Sequence, residues 1–214
     1  MSSKDPIHLE NREKVGIRLF SPTAARNKGP IGGVISEHIP KNARILEIAS
    51  GTGEHGAYMC GLRPDIIWQP SDPNVESRDS QNDWARDCEG RMLTSMNIDT
   101  TEPNWTEPLS GFDVIYCANM IHIAPWEAAL GLVEGAGKLL QKGSTFILYG
   151  PFLEGAETAE SNLQFDISLK SRNSSWGVRN LDAVKHIFSE AGFNLRARIV
   201  MPKENRTLIF TKTR

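Results

Sequence analysis

The chain has 214 residues, which suits a single domain, and its 39% hydrophobic and 23% charged residues are ordinary globular usage. A formal net charge of −2 provides no basic field for nucleic acid or for an anionic membrane. Cys60, Cys88 and Cys117 are widely spaced and form no C-x-x-C pair, which argues against a disulfide framework and a zinc site. We find no secretory signal or membrane-length apolar run, and therefore expect a cytoplasmic protein without a bound metal.

The first predicted element is a helical cap over about residues 20–40. Ser21 followed by Pro22 is a typical helix start, because serine caps the first turn and proline suits its first position. Arg26 and Asn27 are the candidate ligand-binding residues on this helix. The alternative is a solvated helix with ordinary polar residues.

The next element is a short apolar strand, residues 45–48, that runs into a glycine-rich turn and a helix over 55–62. Two glycines, Gly51 and Gly53, permit tight or positive-φ conformations and a close approach of ligand to the backbone. The helix behind the turn presents unpaired N–H groups and a positive dipole end. The pattern predicts a nucleotide-cofactor loop that includes Ser50, although a structural corner without a ligand is the alternative.

Glu47, four positions before Gly51, discriminates between two cofactors. The run from Gly51 to Gly56 matches the dinucleotide fingerprint, but a carboxylate is unfavourable beside a pyrophosphate. The same carboxylate suits the ammonium and sulfonium groups of S-adenosylmethionine (AdoMet). We therefore predict AdoMet rather than a nicotinamide or flavin cofactor, with Arg26 or Asn27 facing its methionine carboxylate.

Two further acids follow predicted strands. Asp72 ends a strand nineteen positions after Gly53 and is placed to accept hydrogen bonds from both ribose hydroxyls. It could instead form an Asx turn with Pro73. Asp99 follows a predicted third strand, residues 92–99, and in the AdoMet enzymes that this chain resembles an acid at this position meets the adenine amino group. A solvated loop aspartate is the alternative there.

The segment after the fourth predicted strand, residues 112–118, lies where methyl transfer would occur. His122 has an unperturbed pKa near neutrality, so it is a candidate catalytic base, or else a packed core histidine. Asn119 is the second candidate catalytic residue and could also bind the cofactor, because its amide orients a partner without titrating. Pro125 begins a helix that extends to about Gln141.

The remaining segments complete an alternating pattern. A strand over 144–149 precedes a possible lid insertion, residues 151–181, and an amphipathic helix over 182–191. Runs over 193–201 and 207–211 predict a closing antiparallel hairpin. We predict one α/β domain, residues 1–214, with a Rossmann-like doubly wound, mostly parallel seven-stranded sheet and a C-terminal antiparallel hairpin.

Five stretches together resemble one group of class I methyltransferase-like proteins, the group that contains methyltransferase-like protein 26. They begin at Ser21, Leu46, Trp68, Asn119 and Tyr149, and the resemblance extends from about Phe20 to the C-terminus. It implies an AdoMet-dependent methyltransferase, and we expect a small-molecule acceptor and no nucleic-acid or membrane partner. The alternatives are a catalytically idle AdoMet-binding protein with a partner-binding role and an NAD-dependent oxidoreductase.

Overall fold

The computed structural model describes residues 12–107 and 109–214. Eight strands and six α-helices lie within these residues. The strands are β1 (Glu13–Val15), β2 (Arg18–Phe20), β3 (Arg44–Ile48), β4 (Ile67–Pro70), β5 (Val114–Ala118), β6 (Thr145–Pro151), β7 (Phe193–Met201) and β8 (Asn205–Lys212). The helices are α1 (Pro22–Ser36), α2 (Glu54–Leu62), α3 (Val75–Ala85), α4 (Trp126–Leu139), α5 (Glu160–Arg172) and α6 (Leu181–Glu190).

The main sheet has the strand order β4-β3-β5-β6-β8-β7. Strands β4, β3, β5 and β6 are parallel, whereas β8 pairs antiparallel with both β6 and β7. This arrangement confirms the doubly wound, mostly parallel sheet and its C-terminal hairpin. The chain turns to opposite sides of β3 to form β4 and β5, so the strand order reverses between β3 and β5. Ligands of open α/β sheets bind at the carboxyl ends of the strands at such a reversal.

The main sheet has six strands rather than the predicted seven. Residues 92–99 lie beside β4, but they form only two isolated bridges, Trp68 with Met92 and Ser71 with Met96. Pro70 lacks the N–H group that a continuous ladder would need there. The carbonyl of Thr94 accepts from the side-chain amide of Gln69 at 2.7 Å instead. The prediction of a third strand is therefore wrong, although the segment does follow the edge of the sheet.

Helices cover both faces of the sheet and create two cores. Helices α1 and α2 pack on one face around Ile35, Met59 and Trp68. On the other face α4 and α6 pack around an aromatic group in which the rings of Phe188 and Phe210 stack at 3.9 Å. Among the described residues, no helix combines the length and apolar character needed to cross a bilayer.

A two-stranded hairpin, β1 and β2, precedes α1 and was not predicted. Arg18 attaches it to α3 through Asp83 at 2.9 Å, through Asp87 at 2.7 Å, and through its guanidinium, which lies 4.1 Å from the centre of the Trp84 ring. The hairpin thus lies against the helix that follows β4.

Candidate functional site

The turn between β3 and α2 has the backbone conformation that the glycines were expected to permit. The φ angles of Ala49, Gly51 and Gly53 are 56°, 58° and 93°. A Cβ on Gly53 would lie 3.0 Å from the Cα of Gln81, so glycine is required there for packing as well as for conformation. Ser50 attaches the turn to the end of β4, because its N–H donates to the carbonyl of Ser71 at 2.8 Å and its hydroxyl accepts from the N–H of Ser71 at 3.0 Å.

Glu47 lies at the end of β3, and only 2% of its surface is exposed. Trp68 donates its indole N–H to one carboxylate oxygen at 2.9 Å, and Nδ1 of His55 lies 3.9 Å from the other. Burial raises the pKa of Glu47 to about 7, the charge of Asp72 adds to this, and the hydrogen bond from Trp68 opposes it. A cation placed beside this carboxylate would favour its ionised form.

Asp72 lies on the far side of the turn and holds it. One carboxylate oxygen accepts from the N–H of Gly51 at 3.0 Å, and the other accepts from the N–H of Asn74 at 2.9 Å. Burial raises the pKa of Asp72, whereas these two N–H groups and the charges of Arg12 and Arg78 oppose the shift. The Asx turn therefore does form, and a carboxylate oxygen has lone pairs for a second donor beyond each of these bonds.

Helix α1 is joined to the start of α2. The buried carboxylate of Glu54 accepts from the N–H of Ser21 at 2.7 Å and from the hydroxyl of Thr52 at 3.0 Å, and its other oxygen lies 3.4 Å from Nζ of Lys28. The amide oxygen of Asn27 lies 2.9 Å from Nε2 of His55. Asn27 therefore points toward the first turn of α2, which directly follows the glycine-rich turn.

Two of the predicted cofactor residues, Arg26 and Asp99, make hydrogen bonds to nearby residues of their own segments. Arg26 is exposed and donates to the hydroxyl of Thr23 at 3.1 Å. One carboxylate oxygen of Asp99 accepts from both the N–H and the hydroxyl of Thr101, at 3.0 and 2.6 Å. The described contacts of Asp99 are those of a local turn, and its adenine role stays a prediction.

Asn119 and His122 follow β5, at the strand-order reversal. Asn119 has a left-handed backbone with φ of 61° and accepts with its carbonyl from the N–H of His122 at 3.2 Å. His122 is 1% exposed, and burial together with the charge of Arg179 lowers its pKa to about 3. A pKa this far below neutrality makes the imidazole a weak base, and its catalytic role stays a prediction.

A hydrogen-bonded group beneath α1 was missed by sequence reasoning. The hydroxyl of Tyr116 lies 3.4 Å from Nδ1 of His55, and Tyr116 also packs edge-on against Trp68 at 5.7 Å. Burial lowers the pKa of His55 to about 4, and the charge of Lys28 acts in the same direction. The only sequence signal was the polar residue that follows Glu54 in the cofactor motif. Within the described ranges, no group of three or more His, Cys, Asp or Glu residues is placed to hold a metal.

Solved structures that share this fold include O-methyltransferase family proteins and other methyltransferases. An O-methyltransferase family protein from Burkholderia thailandensis gives a TM-score of 0.76 at 16% identity, over 89% of this chain and 57% of that one. CalO1, a methyltransferase in calicheamicin biosynthesis solved in its SAH-bound form, gives 0.75 at 12% identity, over 89% and 54%. An O-methyltransferase family 2 protein from Planctomyces limnophilus DSM 3776, solved in complex with apigenin, gives 0.72 at 16% identity, over 89% and 58%. The chain thus spans less than two thirds of the length of these proteins and shares their fold.

By sequence, residues 18–212 match the model of a family described as "Protein of unknown function (DUF938)". The chain belongs to that family.

Proposed function

We propose that this protein is an AdoMet-dependent methyltransferase that acts on a small molecule. One observation supports this proposal above all. The positive-φ turn over residues 49–53 lies between two buried carboxylates, Glu47 and Asp72, at the point where the strand order reverses. This point is where open α/β sheets bind their ligands.

The charge of the site favours AdoMet over a dinucleotide. Both carboxyls are buried, and the charge of Asp72 raises the pKa of Glu47. A pyrophosphate would add further negative charge, whereas the ammonium and sulfonium groups of AdoMet would reduce the repulsion. We propose that Glu47 faces the ammonium end of the cofactor and that Asp72 accepts from the ribose hydroxyls.

The other cofactor contacts follow from their elements. Ser50, Gly51 and Gly53 form the turn against which the cofactor would lie, with Asn119 at the end of the neighbouring strand. The remaining three predicted contacts are Arg26, Asn27 and Asp99. Of these, Asn27 is supported best, because its bond to His55 directs it toward the turn.

We also propose that the chain works as one domain with two covers. Helix α1 is the cap, since Glu54 and Asn27 join it to the cofactor turn. The segment 151–181 is the lid, because the N–H of Gly177 donates to the carbonyl of His122 at 3.0 Å, beside Asn119. An acceptor enclosed between cap and lid would be shielded from water and aligned, which is how such an enzyme assists transfer. When bound, AdoMet supplies a methyl group made electrophilic by its sulfonium.

The similarity to the group that contains methyltransferase-like protein 26 supports the same class, as do the named activities of the structures that share the fold. Apigenin, bound by the Planctomyces protein, is an example of a small-molecule ligand in this fold. The cytoplasmic location and the absence of a nucleic-acid partner stay predictions.

The direct test is ligand binding by calorimetry and thermal shift. AdoMet and S-adenosylhomocysteine should raise the melting temperature, because a ligand that binds only the folded state stabilises it, and NAD should not. Asp72→Asn should weaken AdoMet binding about 10- to 100-fold, as expected from losing a hydrogen bond of about 1.5–3 kcal/mol to a charged group. Asp79→Asn, an exposed change on α3, is the matched control.

Each outcome separates the alternatives. Stabilisation by NAD but not AdoMet would reject the proposal in favour of an oxidoreductase. Binding of AdoMet without its consumption in the presence of a metabolite extract would favour an idle binding protein. Equal affinity of Asp72→Asn and wild type would remove Asp72 from the cofactor site.

A further inference from the structure

His122 has two ring nitrogens in different surroundings. The backbone N–H of Arg179 donates to Nδ1 at 3.3 Å. Nε2 is buried and has no hydrogen-bond partner among the described residues. The ring of Phe152 packs edge-on against the imidazole at 5.4 Å, so the apolar surroundings supply no partner either.

The bond to Nδ1 fixes which nitrogen carries the proton. An N–H donor requires a lone pair on Nδ1, so the proton of the neutral ring lies on Nε2. His122 is then a hydrogen-bond donor at Nε2 and has no lone pair there to remove a proton. This geometry opposes the base role expected from the sequence.

The segment that supplies this bond is itself held firmly. The guanidinium of Arg179 donates to the carbonyls of Ile121 at 2.8 Å, Ala124 at 2.7 Å and Ser175 at 2.9 Å. On the other side, the N–H of Val178 donates to the buried carboxylate of Asp166 at 2.9 Å. Residues 177–179 are therefore braced between the turn after β5 and helix α5.

The donor points to the end of β6. A Cβ built on Gly150 would lie 2.5 Å from Nε2 of His122 and 3.6 Å from the amide oxygen of Asn119. Glycine at this position therefore leaves room for the ring edge, and the buried donor and the amide oxygen both lie near the place that a side chain at residue 150 would occupy. A buried N–H without a partner is costly, which indicates a ligand atom that accepts from it.

We infer that His122 donates a hydrogen bond from Nε2 to an oxygen of the methyl acceptor, and that residues 177–179 are the positioning segment that holds it in this state. This inference rests on the proposed methyltransferase function and names its acceptor class. Nε2 already carries a proton, so it cannot take one from the acceptor. The acceptor oxygen must therefore be deprotonated and negatively charged before it binds. The class is a carboxylate or an acidic phenol, ionised near neutral pH.

The chemistry balances without a base. A lone pair of the acceptor oxygen forms the O–CH₃ bond while the C–S bond of the sulfonium breaks, and its electron pair stays on sulfur. An anion and a cation give a neutral ester or aryl ether and a neutral thioether, so no proton is released. An alcohol or a protonated amine would instead have to release one.

The tautomer can be measured without a substrate. We expect long-range ¹H–¹⁵N spectra of the ¹⁵N-histidine-labelled full chain to show His122 neutral, protonated on Nε2 and unchanged from pH 8 to pH 6. The chain has five histidines, and His122→Gln identifies the signal by removing it. A proton on Nδ1, or on both nitrogens at pH 7, would overturn the inference.

The positioning segment has its own test. Arg179→Gln should release the segment and give a mixture of both tautomers, whereas Arg196→Gln, an exposed change on β7, should leave the spectrum unchanged. A wild-type tautomer pattern in Arg179→Gln would show that this side chain is not needed to hold the positioning segment. If Arg179→Gln does not fold, the wild-type spectrum still decides the state of the ring.

Turnover tests the acceptor class. Aromatic carboxylates and nitrophenols should consume AdoMet without net proton release, and His122→Gln should slow this about 10- to 100-fold, the effect of one hydrogen bond to a charged group. Turnover of alcohols or amines with a pH limb that His122→Gln removes would establish a base instead. If AdoMet does not bind at all, the proposed function fails while the spectrum still reports the tautomer, so the two failures are distinguishable.

Discussion

Glu47→Gln should change how the stability of the protein depends on pH. Glutamine keeps the size of the side chain and an oxygen for the indole N–H of Trp68, but it cannot ionise. In the wild type, burial raises the pKa of Glu47 from 4.5 to about 7. The folded protein therefore holds a proton that the unfolded chain has released between these two values.

The sign and size follow from that difference. At acid pH the Glu47 carboxyl is protonated in both states. As pH rises from 4.5 to about 7, the free energy of unfolding falls, and the loss is complete above about 7. At 1.36 kcal/mol for each pKa unit, the wild type should lose about 3 kcal/mol over this window from Glu47 alone. Glu47→Gln should not lose it, so the variant should gain on the wild type by about 3 kcal/mol between pH 4.5 and pH 8.

Urea unfolding at half-unit steps from pH 4.5 to pH 8 measures this difference. Glu134→Gln, which removes an exposed glutamate on α4, is the matched control and should run parallel to the wild type. A constant difference between Glu47→Gln and wild type across the whole range would refute the reasoning. Saturating AdoMet should reduce the wild-type loss, because a bound cation favours the ionised carboxylate.

Three further predictions concern packing and attachment; thermal and chemical unfolding test the first two, and limited proteolysis tests the third. Gly150→Ala should cost about 1–3 kcal/mol, because its Cβ would lie 2.5 Å from His122, whereas Gly61→Ala on the open side of α2 should be neutral or stabilising. Gly131→Ala should cost at least as much, because its Cβ would lie 1.9 Å from the carbonyl oxygen of Thr100; a melting temperature equal to wild type would contradict that contact. Arg18→Ala should expose the β1–β2 hairpin to proteolysis ahead of the sheet, and equal cleavage rates would contradict its attachment to α3.

The fold could be predicted where one local pattern determined it. The strands at β3, β5 and β6 are short runs rich in apolar residues, and the carboxyl ends of such parallel strands meet at one edge of the sheet. Residues 92–99 mix apolar and polar residues and were also predicted as a strand, yet Pro70 on the partner strand interrupts the ladder from outside the segment. The β1–β2 hairpin depends on Arg18 meeting α3 more than sixty residues later, which no local pattern reveals.

The candidate site likewise contains residues that a local motif predicts and residues whose state depends on distant contacts. Glu47, the glycines and Asp72 belong to one motif with fixed spacing, and the structure brings them together around a single turn. The state of His122 depends on a backbone N–H 57 positions away in sequence, so residue type alone left a base and a packed core histidine both open. His55 and Tyr116 were missed because their partners come from different elements.

The carboxylate of Glu54 has a mechanical consequence. One of its oxygens accepts from both Ser21, at the start of α1, and Thr52, in the cofactor turn, so neither can shift far without weakening the bond to the other. A bound cofactor that stabilises the turn should therefore also stabilise the cap. By thermodynamic reciprocity, a closed cap should raise the affinity of the turn for the cofactor. Glu54 thus links two events thermodynamically: binding of the cofactor at the turn and closure of the cap helix α1.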